Sequence, residues 1–112
     1  MLQIQLPPRR PTDPAGDALH RSSIGWFPGM SEDEAWLAGR GVWKLNADRA
    51  LAQDEVQIID SDGLVLAVAE ITGIRKCDGG RFALEGTLRH GDARVGKPTA
   101  TPHRSRNSVA YF

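Results

Sequence analysis

The sequence predicts a mainly β domain of the α+β class, a small antiparallel β-barrel carrying two short helices. Two apolar runs, Val56-Gln57-Ile58-Ile59 and Leu64-Val65-Leu66-Ala67-Val68-Ala69, are rich in β-formers. They are joined by Asp60-Ser61-Asp62-Gly63, a turn whose glycine suits a positive φ. A third run, Arg81 to Leu88, follows the turn Cys77-Asp78-Gly79-Gly80, so three consecutive strands form a meander. The 12 glycines and 7 prolines among 112 residues punctuate the chain too often for a helical bundle.

From the amino terminus, residues 1–24 combine PPRRP, TDPAGD and HRSS, and Pro7, Pro8, Pro11 and Pro14 deny this stretch a regular helix or an interior strand. It reads as a flexible arm. Leu2, Ile4 and Leu6 alternate with Gln3 and Gln5, the pattern of an edge strand over 2–6 or of a frayed terminus. Gly25 to Met30 is a turn with two large aromatics. Ser31 followed by Glu34 has capping-box form and starts a helix from Glu32 to about Ala38, with its acids where the macrodipole favours them. Gly39 to Gly41 ends that helix, and Val42-Trp43-Lys44-Leu45 alternates as a strand entering the core. Asn46 caps a second helix over Ala47 to Ala52. The second hairpin strand continues through Ile71 and Ile74. Arg89 to Pro102 is a Gly/Pro-broken loop of a length more often functional or mobile than incidental. Asn107 to Phe112 returns as the last strand, so residues 25–112 form a single barrel domain.

A chain of this length buries about two-thirds of the surface its unfolded state exposes, enough for one core. No apolar run approaches the roughly 18 to 20 residues that cross a bilayer, and Met1 to Leu19 lacks the apolar core of a signal peptide. A soluble cytoplasmic protein is expected. The single Cys77 excludes an internal disulfide and cannot alone build a thiolate zinc site. The formal net charge of zero hides an asymmetry: residues 25–70 sum to −6 and residues 71–112 to +5. A basic end on a folded domain is an anion-binding face or a solvated sheet edge whose arginines suppress aggregation.

Apparent catalytic motifs fail on chemistry. Gly91 to Lys97 has the G-x4-G-K frame of a phosphate-cradling loop, but Pro98 stands where a magnesium-binding Ser or Thr belongs and lacks the N–H that a following helix would aim at phosphate. Asp60-Ser61-Asp62-Gly63 opens like a calcium loop, but the position of its bidentate acid is Ile71. His20, His90 and His103 stand singly without metal-ligand spacing, and no serine has nucleophile-elbow context. No cofactor or metal is expected. An active site assembled in space from His90, Asp92 and His103 has no spacing behind it.

Three segments together resemble the PUA-like superfamily of small β-barrels, which includes the EVE and ASCH modules. They are Trp43-Lys44-Leu45-Asn46 with Ala47-Asp48-Arg49-Ala50, the hairpin strand Val65 to Ile74, and the terminal Arg106 to Phe112. The resemblance covers about Gly41 to Phe112 and implies a non-enzymatic module that binds RNA or modified DNA in a cleft at the barrel rim. The basic face is then expected from Arg75, Lys76, Arg104 and Arg106, with Lys44 beside them and Trp43 and Asn107 supplying a stacking or polar contact. The other reading is a protein-interaction or homo-oligomerising accessory domain that sets the acidic middle of one chain against the basic end of another.

Overall fold

A computed structural model describes residues 1–103 and 106–112. The elements are β1 (Leu2–Gln5), β2 (Arg10–Pro11), β3 (Ser23–Ile24), α1 (Glu32–Gly39), α2 (Ala47–Leu51), β4 (Glu55–Ile59), β5 (Val65–Lys76), a 3₁₀ turn (Asp78–Gly80), β6 (Phe82–Leu88) and β7 (Val109–Tyr111). The fold is mixed α/β and mainly sheet, with two helices, as the sequence predicts. Both helix starts follow from their caps. Ser31 Oγ accepts from Glu34 N while Glu34 Oε1 accepts from Ser31 N, and Asn46 Oδ1 accepts from Arg49 N.

The meander β4–β5–β6 is antiparallel throughout, and Gly63 in its first turn takes φ +83°. The sheet around it departs from the expected barrel. Its order is β6-β5-β4-β1-β7, and among the described residues β6 and β7 do not pair, so the sheet stays open. Nor is it all antiparallel: β1 runs parallel to β4, with Gln3 opposite Gln57, and antiparallel to β7. A parallel pair needs a long crossover, and residues 6–54 supply it through the β2–β3 ribbon and both helices.

The edge strand expected at 2–6 is therefore an interior strand. The prolines that argue against an interior strand all lie after it, and Leu2, Gln3 and Ile4 have no exposed surface. The expected strand over 42–45 reduces to one bridge, Trp43 to Phe82. With Arg40 O accepting from Leu84 N, that bridge lays residues 40–43 along the outer edge of β6 and covers it.

Alternation along the strands sorts the two faces. Leu2, Ile4, Val56, Ile58, Ala67, Ala69 and Leu84 pack with Ala35, Ala38 and Ala50 of the helices as the main core. The helix approaches closely because Gly39 has no side chain; a Cβ there would stand 2.6 Å from Ile58 Cδ1. The opposite face carries Gln3 and Gln57, both buried, beneath the loop 89–103. Gln57 Nε2 donates to Gln3 Oε1 at 2.8 Å, Thr101 Oγ1 donates to the same oxygen at 2.7 Å, and Gln3 Nε2 donates to Thr101 O at 3.0 Å. Each buried amide left unpaired would cost about 1–3 kcal/mol, so this network fixes the loop on the sheet.

Residues 7–24 are also part of the packed fold rather than a detached arm. Arg21, 6% exposed, holds Asp17 through two parallel hydrogen bonds of 2.8 and 3.0 Å. Its Nη1 donates to the carbonyls of Leu37 and Ala38 at the end of α1 and to Gly41. One guanidinium thereby caps the helix carbonyls and ties the segment to it. We predict that Arg21→Met, which strands the Asp17 carboxylate, costs about 3 kcal/mol of unfolding free energy in urea titrations, with the double change Arg21→Met/Asp17→Leu recovering part of it. A loss under about 1 kcal/mol for the single variant contradicts this role.

Candidate nucleic-acid interface

Trp43 sits where the 40–43 segment meets β6. Its Nε1 donates to Gly39 O at 2.7 Å, its side chain packs on the core cluster, and the residue is half-buried. It also lines a cleft of about 210 Å³ with Arg10, Thr12, Ile24, Gly25 and Arg81, and with Asp17 and Arg21 below. Gly25 makes the close approach possible: φ is +88°, and a Cβ would lie 2.5 Å from the carbonyl oxygens of Pro7 and Pro8.

Bridge partners place more charge at the same end. Trp43 pairs with Phe82 and Phe82 with Lys76, so these three side chains stand in one row. Lys44 follows Trp43 and is exposed. Arg75, also exposed, donates from Nη2 to Ala18 O at 2.9 Å and ties the end of β5 to the 7–24 segment. Among the described residues none of Arg10, Lys44, Arg75, Lys76 and Arg81 forms an ion pair. Asp17 is neutralised by Arg21, whose hydrogen bonds hold its carboxyl below the usual range. Asp78 lines a neighbouring cleft that shares Arg81.

Four of the residues expected at the interface, Trp43, Lys44, Arg75 and Lys76, are thus gathered at one end of the sheet. Arg106 and Asn107 are not with them. They precede β7 at the end where Ser108 O accepts from Gln5 N, and Asn107 O accepts from His103 Nε2 at 2.7 Å. β7 runs opposite to β1, so this end lies across the sheet from the end of β5. Arg104 lies outside the described residues. Arg10 and Arg81 were not singled out by sequence: one lies in a proline-rich run and the other directly before a strand, and only the fold joins them.

Arg89 and Arg94 of the carboxy-terminal section serve the architecture. Arg94 forks onto Glu55 at 3.1 and 2.9 Å and onto Asp92 at 2.9 and 3.0 Å, and Arg89 reaches Glu55 at 2.7 Å. The G-x4-G-K frame is no cradle, since Gly91 N donates to the Glu32 carboxylate and Asp92 and Arg94 engage each other. His90 contacts Asp33, while both ring nitrogens of His103 are occupied, by Gln3 and Asn107 O. Among the described residues His90, Asp92 and His103 share no partner. Among the described residues no group of three or more His, Cys, Asp or Glu could hold a metal, and no helix is long and apolar enough to cross a membrane.

Compared with known proteins, the chain matches no family model, no curated protein sequence and no solved structure.

The Arg94 cluster sets an acid limit. Hydrogen bonds from the Arg94 side chain and backbone hold Asp92 at about 2, and the same guanidinium lowers Glu55. Carboxyls depressed on folding stabilise the protein above their unfolded range, and that contribution is lost as pH falls from about 4 through about 2. Arg94 is 38% exposed and screened by solvent, which reduces the expected effect. We predict that Asp92→Asn costs about 1 kcal/mol at pH 7 and about a third of that at pH 2.5, read as urea midpoints. An equal cost at both pH values contradicts the assignment.

Proposed function

We propose that this protein is a non-enzymatic nucleic-acid-binding module, for RNA or modified DNA, whose contact surface is the Trp43 end of the sheet. One observation carries the reading: five cations without ion-pair partners among the described residues gather at one end of the sheet, where two of them, Arg10 and Arg81, line a cleft with a half-buried indole in its wall. Lysines and arginines neutralise phosphates, and an indole with one edge pinned offers a face on which an unstacked base can lie. The PUA-like resemblance belongs to this proposal. The short helix after Trp43 and the hairpin support it, and the single bridge at Trp43, the open sheet and parallel β1 are its points of difference.

Pairing of two acidic middles with two basic ends is the less favoured reading. Glu55, Glu70 and Glu85 already face arginines of their own chain. The large exposed apolar residues Leu37, Leu51, Leu64 and Phe112 come from four separate parts of the chain.

If three to five phosphates are neutralised, log affinity for duplex DNA falls against log salt with a slope of about −3 to −4.5. Lys44→Ala/Lys76→Ala is predicted to weaken oligonucleotide binding by about tenfold at 50 mM salt and flatten the slope by about 1 to 2, with thermal stability unchanged. Arg106→Ala, at the other end, changes affinity by less than about twofold. Fluorescence anisotropy over a salt series reads both. A salt-independent affinity, or a larger loss from Arg106→Ala than from the lysine pair, overturns the proposed surface.

A further inference from the structure

The cleft beside Trp43 has a donor set more specific than a basic surface. Arg10 enters it from β2 and Arg81 from the turn before β6, and neither has an ion-pair partner among the described residues. Beneath them Asp17 and Arg21 cancel one another. Arg21 gives Nε and one Nη2 hydrogen to Asp17 and gives Nη1 to backbone carbonyls; its second Nη2 hydrogen has no acceptor among the described residues. Two positive charges remain uncompensated in a space of about 210 Å³. Asp78, in the adjoining cleft, competes for Arg81 only from outside this space and forms no ion pair with it among the described residues.

A phosphate monoester carries a charge of about −1.5 to −2 at pH 7 and three terminal oxygens, whereas a diester within a strand carries one charge and two such oxygens. Two planar guanidiniums suit the former in charge and in the number of acceptors. We propose that this cleft binds the terminal phosphate of a nucleotide, with Arg10 and Arg81 on the phosphate and the Trp43 ring beside the base. The phosphate belongs to the end of a strand or to a free mononucleotide. Only the strand-end source rests on the nucleic-acid reading above.

The test compares one oligonucleotide in three forms, hydroxyl-ended, 5′-phosphorylated and 3′-phosphorylated, with adenosine monophosphate and inorganic phosphate titrated separately against Trp fluorescence. One of the phosphorylated forms is expected to bind about five- to tenfold tighter than the hydroxyl-ended form. Arg10→Gln and Arg81→Gln, both at exposed positions, are expected to weaken the hydroxyl-ended form by a few fold, as loss of any cation of that surface does, and to weaken the preferred phosphorylated form by about five- to tenfold more, so that the two then bind alike. Arg81→Lys retains charge but loses the fork, and is expected to keep less than half of the preference. Equal binding of all three oligonucleotides overturns the terminal-phosphate site and leaves the nucleic-acid reading standing. Binding of the monophosphate without any oligonucleotide supports the site and overturns the polymer reading. Binding of none of these ligands overturns both.

Discussion

A single buried guanidinium organises the amino-terminal half of this protein. Arg21 spends its hydrogens on Asp17, on the last carbonyls of α1 and on Gly41, and so joins three segments that no strand pairing connects. Its burial is tolerated because Asp17 neutralises the charge and the carbonyls satisfy the Nη1 donors. The consequences reach the sheet. Gly41 lies within the run that covers the edge of β6, so fixing its carbonyl places Trp43 against Phe82 and sets the wall of the cleft.

The carboxy-terminal half relies on the opposite kind of contact. Gln3 and Gln57 lie side by side on the inner strands, and their amides are satisfied by each other, by Thr99 and Thr101 and by His103. A long loop becomes a second cover for the sheet, pinned at one end by this network and at the other by Arg94. The ion pairs also redistribute charge. Glu55, Glu70, Glu85 and Asp92 are matched by arginines, so the uncompensated positive charge at the Trp43 end stands out more than a linear count along the chain suggests.

Local signals were legible where local chemistry decides. The capping box at Ser31, the Asn46 cap, the hairpin through Gly63 and the turn at Cys77 to Gly80 depend on residues within a few positions of one another, and the structure contains all four. What could not be read depends on distant partners. Gln3 and Gln5 give the first strand the look of an exposed edge, yet Gln3 is covered by residues almost one hundred positions away. Trp43 alternates like a strand residue but has one bridge, because β6 already pairs with β5 and only its outer edge is open. In the site, the lysines and arginines of β5 were visible as a charge excess, whereas Arg10 and Arg81 join them only through the β2–β3 ribbon and the 3₁₀ turn. Arg106 and Asn107 share the sign of that excess but not its location.

Amide and indole chemical-shift mapping tests directly whether ligand contacts concentrate at the Trp43 end of the sheet. With a hydroxyl-ended single-stranded oligonucleotide added at low salt, the Trp43 indole N–H and the backbone around Arg10, Lys76 and Arg81 are expected to shift with the same binding curve, while Arg106 to Ser108 stay fixed. Shifts confined to Arg106 to Ser108, or an unmoved Trp43 indole under saturating ligand, would contradict it.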